Sequence, residues 1–338
     1  MTKCNYKETP AYSISPMLYK ILKTKRPTNN LKQNTDFMQW ILKRNGIMTY
    51  VMDSMGNITV EVPKPDGTRS QMAFTAHTDT MDNKVGDNDL HISEDGVVSV
   101  LGGGVLGADD GAGIYILLEM ILEHVPGRYI FFATEEQGRI GSQVYAMPSH
   151  VKAVVSFDRK GTDNLITHQM SERGCSDEFA DALIAQFAGC GLRYIKDPTG
   201  SFTDSYSFFT TVPECINLSC GYYNQHTKME SLDSIFLEDL ADAVCEMDWE
   251  SLPIKRDPSK VEYDWGMVDN KWGGWTTGNK KANPDLFWGN TPEDETELAL
   301  GDTPDLLELC IDYPDIAATL LSEYGITERD FMDFGGVR

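Results

Sequence analysis

Basic residues are in short supply: 29 Lys and Arg stand against 52 Asp and Glu in 338 residues, a formal charge of -23. Phosphate contacts need clustered cations, so neither nucleic acid nor an anionic membrane is expected as a partner. No run approaches the ~20 apolar residues of a membrane span, and the first ten residues are polar. Cysteines are few and irregular: Cys4, Cys175, Cys190, Cys215, Cys220, Cys245 and Cys310 make an odd number with no CxxC pair. That excludes a regular disulfide framework and fits a reducing compartment, so a cytoplasmic protein is expected. No internal repeat is visible.

What is there reads as one large folded domain with an appendage. Helical patterns run over 16–23 and 35–44, with Ser15 and Asn34 as candidate caps. Segments 48–53 and 58–63 flank a hairpin turn at 54–57. Apolar strand-like runs follow at 72–76, 129–134, 153–157, 192–196 and 216–219. They alternate with helical patterns over 112–123, from Ser176 to about Ala188, and over 237–249. This alternation predicts an α/β domain with a largely parallel sheet, over residues 1–255. From 256 the text changes to a Gly-, Asn-, Lys- and Trp-bearing stretch (Trp265, Trp272, Trp275, Trp288). The acidic run 293–297 and short amphipathic patterns near 306–311 and 316–324 follow. Residues 256–338 are read as a C-terminal extension.

The chemistry-bearing residues stand where the strands end. His77 follows 72–76, Glu135 and Glu136 follow 129–134, Asp158 follows 153–157, and His226 lies a few residues past 216–219. The carboxyl edge of an open α/β sheet is where ligands bind, because several loops converge there. Asp109, on the Gly-bearing turn that opens the 112–123 helix, can join them. Two imidazoles and several carboxylates, without a thiolate, suit zinc, cobalt or manganese. One carboxylate can bridge two ions about 3.5–4 Å apart, and Asp109 is assigned that place. Asp79, two residues from His77, can hold the imidazole through its second nitrogen. Of Glu135 and Glu136, one can ligate while the other takes a proton from bound water.

The runs Ala76-His77-Thr78-Asp79-Thr80, Leu106-Gly107-Ala108-Asp109-Asp110-Gly111-Ala112-Gly113, Ala133-Thr134-Glu135-Glu136-Gln137-Gly138, Phe157-Asp158 and His226-Thr227 resemble the ordered motifs of the co-catalytic zinc exopeptidases. The first three look closest to peptidase T and its relatives. The last, with the compact spacing, looks more like leucyl-type aminopeptidases. The resemblance covers roughly 72–233. It implies a three-layer α/β fold and two metal ions, with His77, Asp109 and Asp158 around one and Asp109, Glu136 and His226 around the other. It also implies Glu135 as general base, Asp79 as support for His77, and a cis peptide between Asp109 and Asp110. Peptidase T relatives insert a dimerising lid before the last His, but only 67 residues separate Asp158 from His226 here, so neither the lid nor a lid-mediated dimer is expected.

These readings predict a metal-dependent hydrolase of peptides or small amides, an aminopeptidase first. An N-acyl amino acid amidohydrolase or a dipeptidase is the alternative on the same site. A binding protein that keeps the fold without activity is a third reading, against which the complete ligand set argues. Arg159, directly after Asp158, either meets a substrate carboxylate or neutralises the acidic cluster. His168 and Asp204 are left open between site and structure. His91, His124 and His150 are read as surface or satisfied core residues.

Overall fold

The computed structural model describes residues 14–82 and 84–263. The cysteines at 4 and 310, the four tryptophans named above, the acidic run and the two C-terminal helical patterns lie outside the described residues.

Eight strands form the main sheet in the order Val51–Met52, Ile58–Val62, Gly127–Phe132, Met72–His77, Ala153–Arg159, Glu214–Ser219, Asn164–Ile166, Ile195–Asp197. The four central strands run parallel. The hairpin Val51–Met52/Ile58–Val62 adds an antiparallel edge on one side, and Asn164–Ile166 pairs antiparallel with Glu214–Ser219 on the other. The central strands are buried along nearly their whole length, which is why they read as continuous apolar runs and not as alternation.

Alternate residues serve different cores. Met72, Phe74 and Ala76 join the larger core with the buried faces of helices Pro16–Lys23, Leu31–Arg44, Ala108–Leu122, Asp177–Gly189 and Ser234–Glu246. Ala73, Ile130, Phe132, Val154 and Cys215 face the other way, onto Phe208, Phe209 and Val212. That second face is covered by short pieces, among them the 3-10 helix Asp204–Phe208.

The first helix begins at Pro16 behind Ser15, whose hydroxyl accepts from Leu18 N, as expected. The second begins four residues before the expected start. Asn30 is its cap, accepting from Gln33 N, whereas Asn34 is buried and donates to the Pro27 carbonyl. A second, antiparallel sheet, Tyr222–Tyr223, Ser231–Asp233, Val97–Val100, Leu90–Ile92, was not read from the sequence. Its strands of two to four residues are mostly half exposed and too short to show a period. Past Lys255 the chain keeps packing as far as it is described. The Arg256 guanidinium donates to the Pro213, Phe209 and Val212 carbonyls, and Arg173 N donates to Glu262 O.

Candidate metal centre

Parallel register brings the site together. Thr75 pairs with Ser156 and His77 with Phe132, so His77, the turn after Phe132 and Asp158 reach one rim. After Phe132 the chain passes through Thr134 at φ 57 into a 3-10 turn, Glu135–Gln137. That turn lets two consecutive glutamates serve one site, which a straight strand would send to opposite faces. Asp109 arrives at the start of the Ala108–Leu122 helix, where Asp109 and Asp110 depart from helical angles and the peptide between them is cis. Gly113 is required there: a Cβ would stand 2.5 Å from the Asp110 carboxylate and 2.6 Å from Phe157 O. His226 comes from the second sheet, on the loop between Tyr222–Tyr223 and Ser231–Asp233, at φ 64.

Two three-residue groups result, His77/Asp109/Asp158 and Asp109/Glu136/His226, each with ligand atoms within 4.8 Å of one another. His77 Nε2 lies 2.9 Å from Asp109 Oδ1 and 3.6 Å from Asp158 Oδ1. His226 Nε2 lies 3.2 Å from Asp109 Oδ2 and 3.0 Å from Glu136 Oε1. On the other side of its ring, His77 Nδ1 is 2.9 Å from the Asp79 carbonyl. A proton on Nδ1 leaves the Nε2 lone pair facing carboxylate oxygens, an arrangement that a cation between them satisfies. The donor chemistry therefore fits divalent metal: imidazole nitrogen and carboxylate oxygen, no sulfur, and one carboxylate shared by both groups.

Without a cation, the side chains compensate one another. Burial disfavours charge on His77, but Asp158, Asp109 and Asp79 outweigh it and hold its pKa well above the usual histidine value. For His226 burial is again outweighed, by Asp109 and Glu136, which push it up to about 11. Glu136 rises to about 7 through burial, opposed by His226. Asp109 is held low by His226 and His77 despite its burial.

A buried frame fixes these groups. Asp79 accepts from Glu135 N (3.0 Å) and the Thr28 hydroxyl (2.6 Å), and its carboxylate lies 3.6 Å from His77 Nδ1. Asp110 accepts from His77 N and Gly113 N. Asp158 accepts from the Tyr222 hydroxyl at 3.1 Å and from the Thr203 hydroxyl, while the Asn217 amide grips its backbone N–H and carbonyl. Glu230 accepts from Leu106 N, Gly107 N and Asp109 N. Arg26, fully buried, donates to the carbonyls of Thr78, Ile21, Thr24 and Gly107. Arg26, Thr28, Thr203 and Glu230 were not singled out from the sequence. A carboxylate a few residues past His226 was the one available signal.

The residues left open now have places. Arg159 lines the cleft, and its guanidinium lies 3.3 Å from Asp197 Oδ2. His168 is buried with Nδ1 2.9 Å from the Thr167 hydroxyl and lines a different pocket with Arg173 and Tyr263. Asp204 is buried, and burial pushes it up to about 7.

The family described as Peptidase family M28 matches residues 57–243. No curated protein sequence matches. Among solved structures the chain is similar to aminopeptidase PepT from Bacillus cereus, with 14% identity, a TM-score of 0.58, and 68% of this chain and 95% of that one covered. It is also similar to the TET1 peptidase of Pyrococcus horikoshii (16%, 0.55, 68% and 97%). A third match is an aminopeptidase from Desulfurococcus kamchatkensis (14%, 0.53, 70% and 94%). The shared property is the α/β fold, a mixed, mostly parallel sheet flanked by helices.

Proposed function

The chain belongs to peptidase family M28 and is a metallopeptidase, and from that premise we propose an aminopeptidase that works with two divalent ions, zinc first, cobalt or manganese otherwise. One observation carries the reading: Asp109 turns one carboxylate oxygen to His77 and the other to His226, as a bridging ligand must. His77 and Asp158 would complete one ion's ligands, Glu136 and His226 the other's. Bound ions supply an acidified water and a Lewis acid for the scissile carbonyl.

The remaining steps fall to the chain. Glu135 lines the cleft beside both groups and is the proton acceptor for the attacking water, then the donor to the leaving amine. Asp79 sets Glu135 through its backbone N–H and His77 through its ring. Asn217, Thr203 and Tyr222 keep Asp158 from turning away. The names of the similar structures, aminopeptidases among them, support exopeptidase action at an amino terminus. A cytoplasmic setting belongs to the same proposal.

Metal analysis should find two transition ions per chain. Chelation should abolish turnover of aminoacyl-anilides, and zinc should restore it. Hydrolysis of N-acyl amino acids alone would replace the aminopeptidase with an amidohydrolase, and a metal-free, inactive protein would overturn the proposal.

A further inference from the structure

We propose that Lys160 forms a carboxylate-binding subsite beside the metal groups, so that preferred substrates are peptides with a carboxylate close to the scissile bond. The inference deepens the aminopeptidase reading and rests on it.

Cations are scarce in this chain, yet two consecutive ones, Arg159 and Lys160, line the metal cleft. Their charges are not in the same position. Arg159 is committed to Asp197 at 3.3 Å, and Asp197 is itself fixed by Thr199. Lys160 is exposed and has no ion-pair partner among the described residues. Its backbone is anchored: the carbonyl accepts from the Ser219 hydroxyl at 2.8 Å, and Gly161 N donates to Tyr222 O at 2.8 Å. The ammonium therefore springs from a fixed point two residues past Asp158, next to the strand whose Tyr222 holds that ligand.

A lysine at this place works against the centre's other tasks. It repels divalent ions and the ammonium of a peptide's first residue alike, and no carboxylate among the described residues pairs with it. A substrate carboxylate does. Two sources have that chemistry: an acidic side chain on the terminal residue, or the terminal carboxylate of a dipeptide.

Two matched substrate pairs test this with metal-replete protein. Glutamyl- and glutaminyl-anilide differ only in a side-chain carboxylate, and leucyl-glycine and leucyl-glycinamide only in a terminal one. A charge-assisted contact predicts about a 10-fold preference in kcat/KM, expressed in KM, for the charged member of one pair. The pair that shows it names the source. Lys160→Met should erase that preference, Lys160→Arg should keep it, and Lys160→Glu should reverse it. Equal rates within both pairs, or a preference that survives Lys160→Met, would overturn the inference and leave the peptidase reading standing. No turnover of any of the four would overturn both.

Discussion

Glu230→Gln is the substitution that separates the support of the metal centre from its ligands. The Glu230 carboxylate is buried and receives three backbone N–H groups: Leu106 at 2.8 Å and Gly107 at 3.1 Å on one oxygen, Asp109 at 3.1 Å on the other. Burial raises its pKa to about 7 against the pull of those donors, so at pH 8 the carboxylate is ionised. A glutamine of the same shape keeps an acceptor for Leu106 and Gly107. Toward Asp109 it presents an N–H, donor against donor. One buried N–H left without a partner costs ~1–3 kcal/mol, and two contacts drop from charge-assisted to neutral strength. The loss should total on the order of 3 kcal/mol, read by urea unfolding at pH 8. Because the orphaned N–H belongs to the residue proposed to bridge the two ions, zinc affinity should fall ~10- to 100-fold, measured by competition with a chromogenic chelator. Turnover should return when zinc is supplied in excess, since no ligand has been removed. Parent-like zinc affinity in a destabilised variant would refute the argument that Glu230 acts through Asp109.

Two further perturbations address the proton path and the buried charge. Glu135→Gln should bind both ions with near-parent affinity and lose ~100- to 10,000-fold in kcat; unchanged turnover would remove Glu135 from proton transfer. Asp204 is raised from 3.8 to about 7, chiefly by burial. A carboxyl whose folded pKa lies above its unfolded one contributes fully below the unfolded value and loses that contribution as pH rises through the folded one. In chelator-treated protein the parent should therefore lose on the order of 4 kcal/mol between pH 4 and pH 8 that Asp204→Asn, which does not titrate, keeps. A gap between the two proteins that stays constant across this range would show that Asp204 is not held in its neutral form.

Of the proposed ligands, His77 and Asp158 were legible because each stands within a residue of the end of the strand that delivers it. His77 is the last residue of Met72–His77 and Asp158 the sixth of Ala153–Arg159, strands whose continuous burial writes itself as an apolar run. His226 was legible as a motif but not as a position, since the hairpin that carries it belongs to a sheet of two- to four-residue strands. What holds the ligands was hidden, for a physical reason. Arg26 reaches Gly107, 81 positions away, and Glu230 reaches Asp109 across 121. A charged residue that is buried only because distant backbone groups satisfy it looks, in sequence, like any solvated one. The acceptor for the N–H groups of Leu106, Gly107 and Asp109 is Glu230, four positions after His226 and directly before the second-sheet strand Ser231–Asp233. The loop that delivers Asp109 is thus tied to the hairpin that delivers His226, its neighbour in the second candidate group. Asp109 and His226 are positioned by one buried carboxylate, and a change at Glu230 should disturb both metal groups through the residue they share.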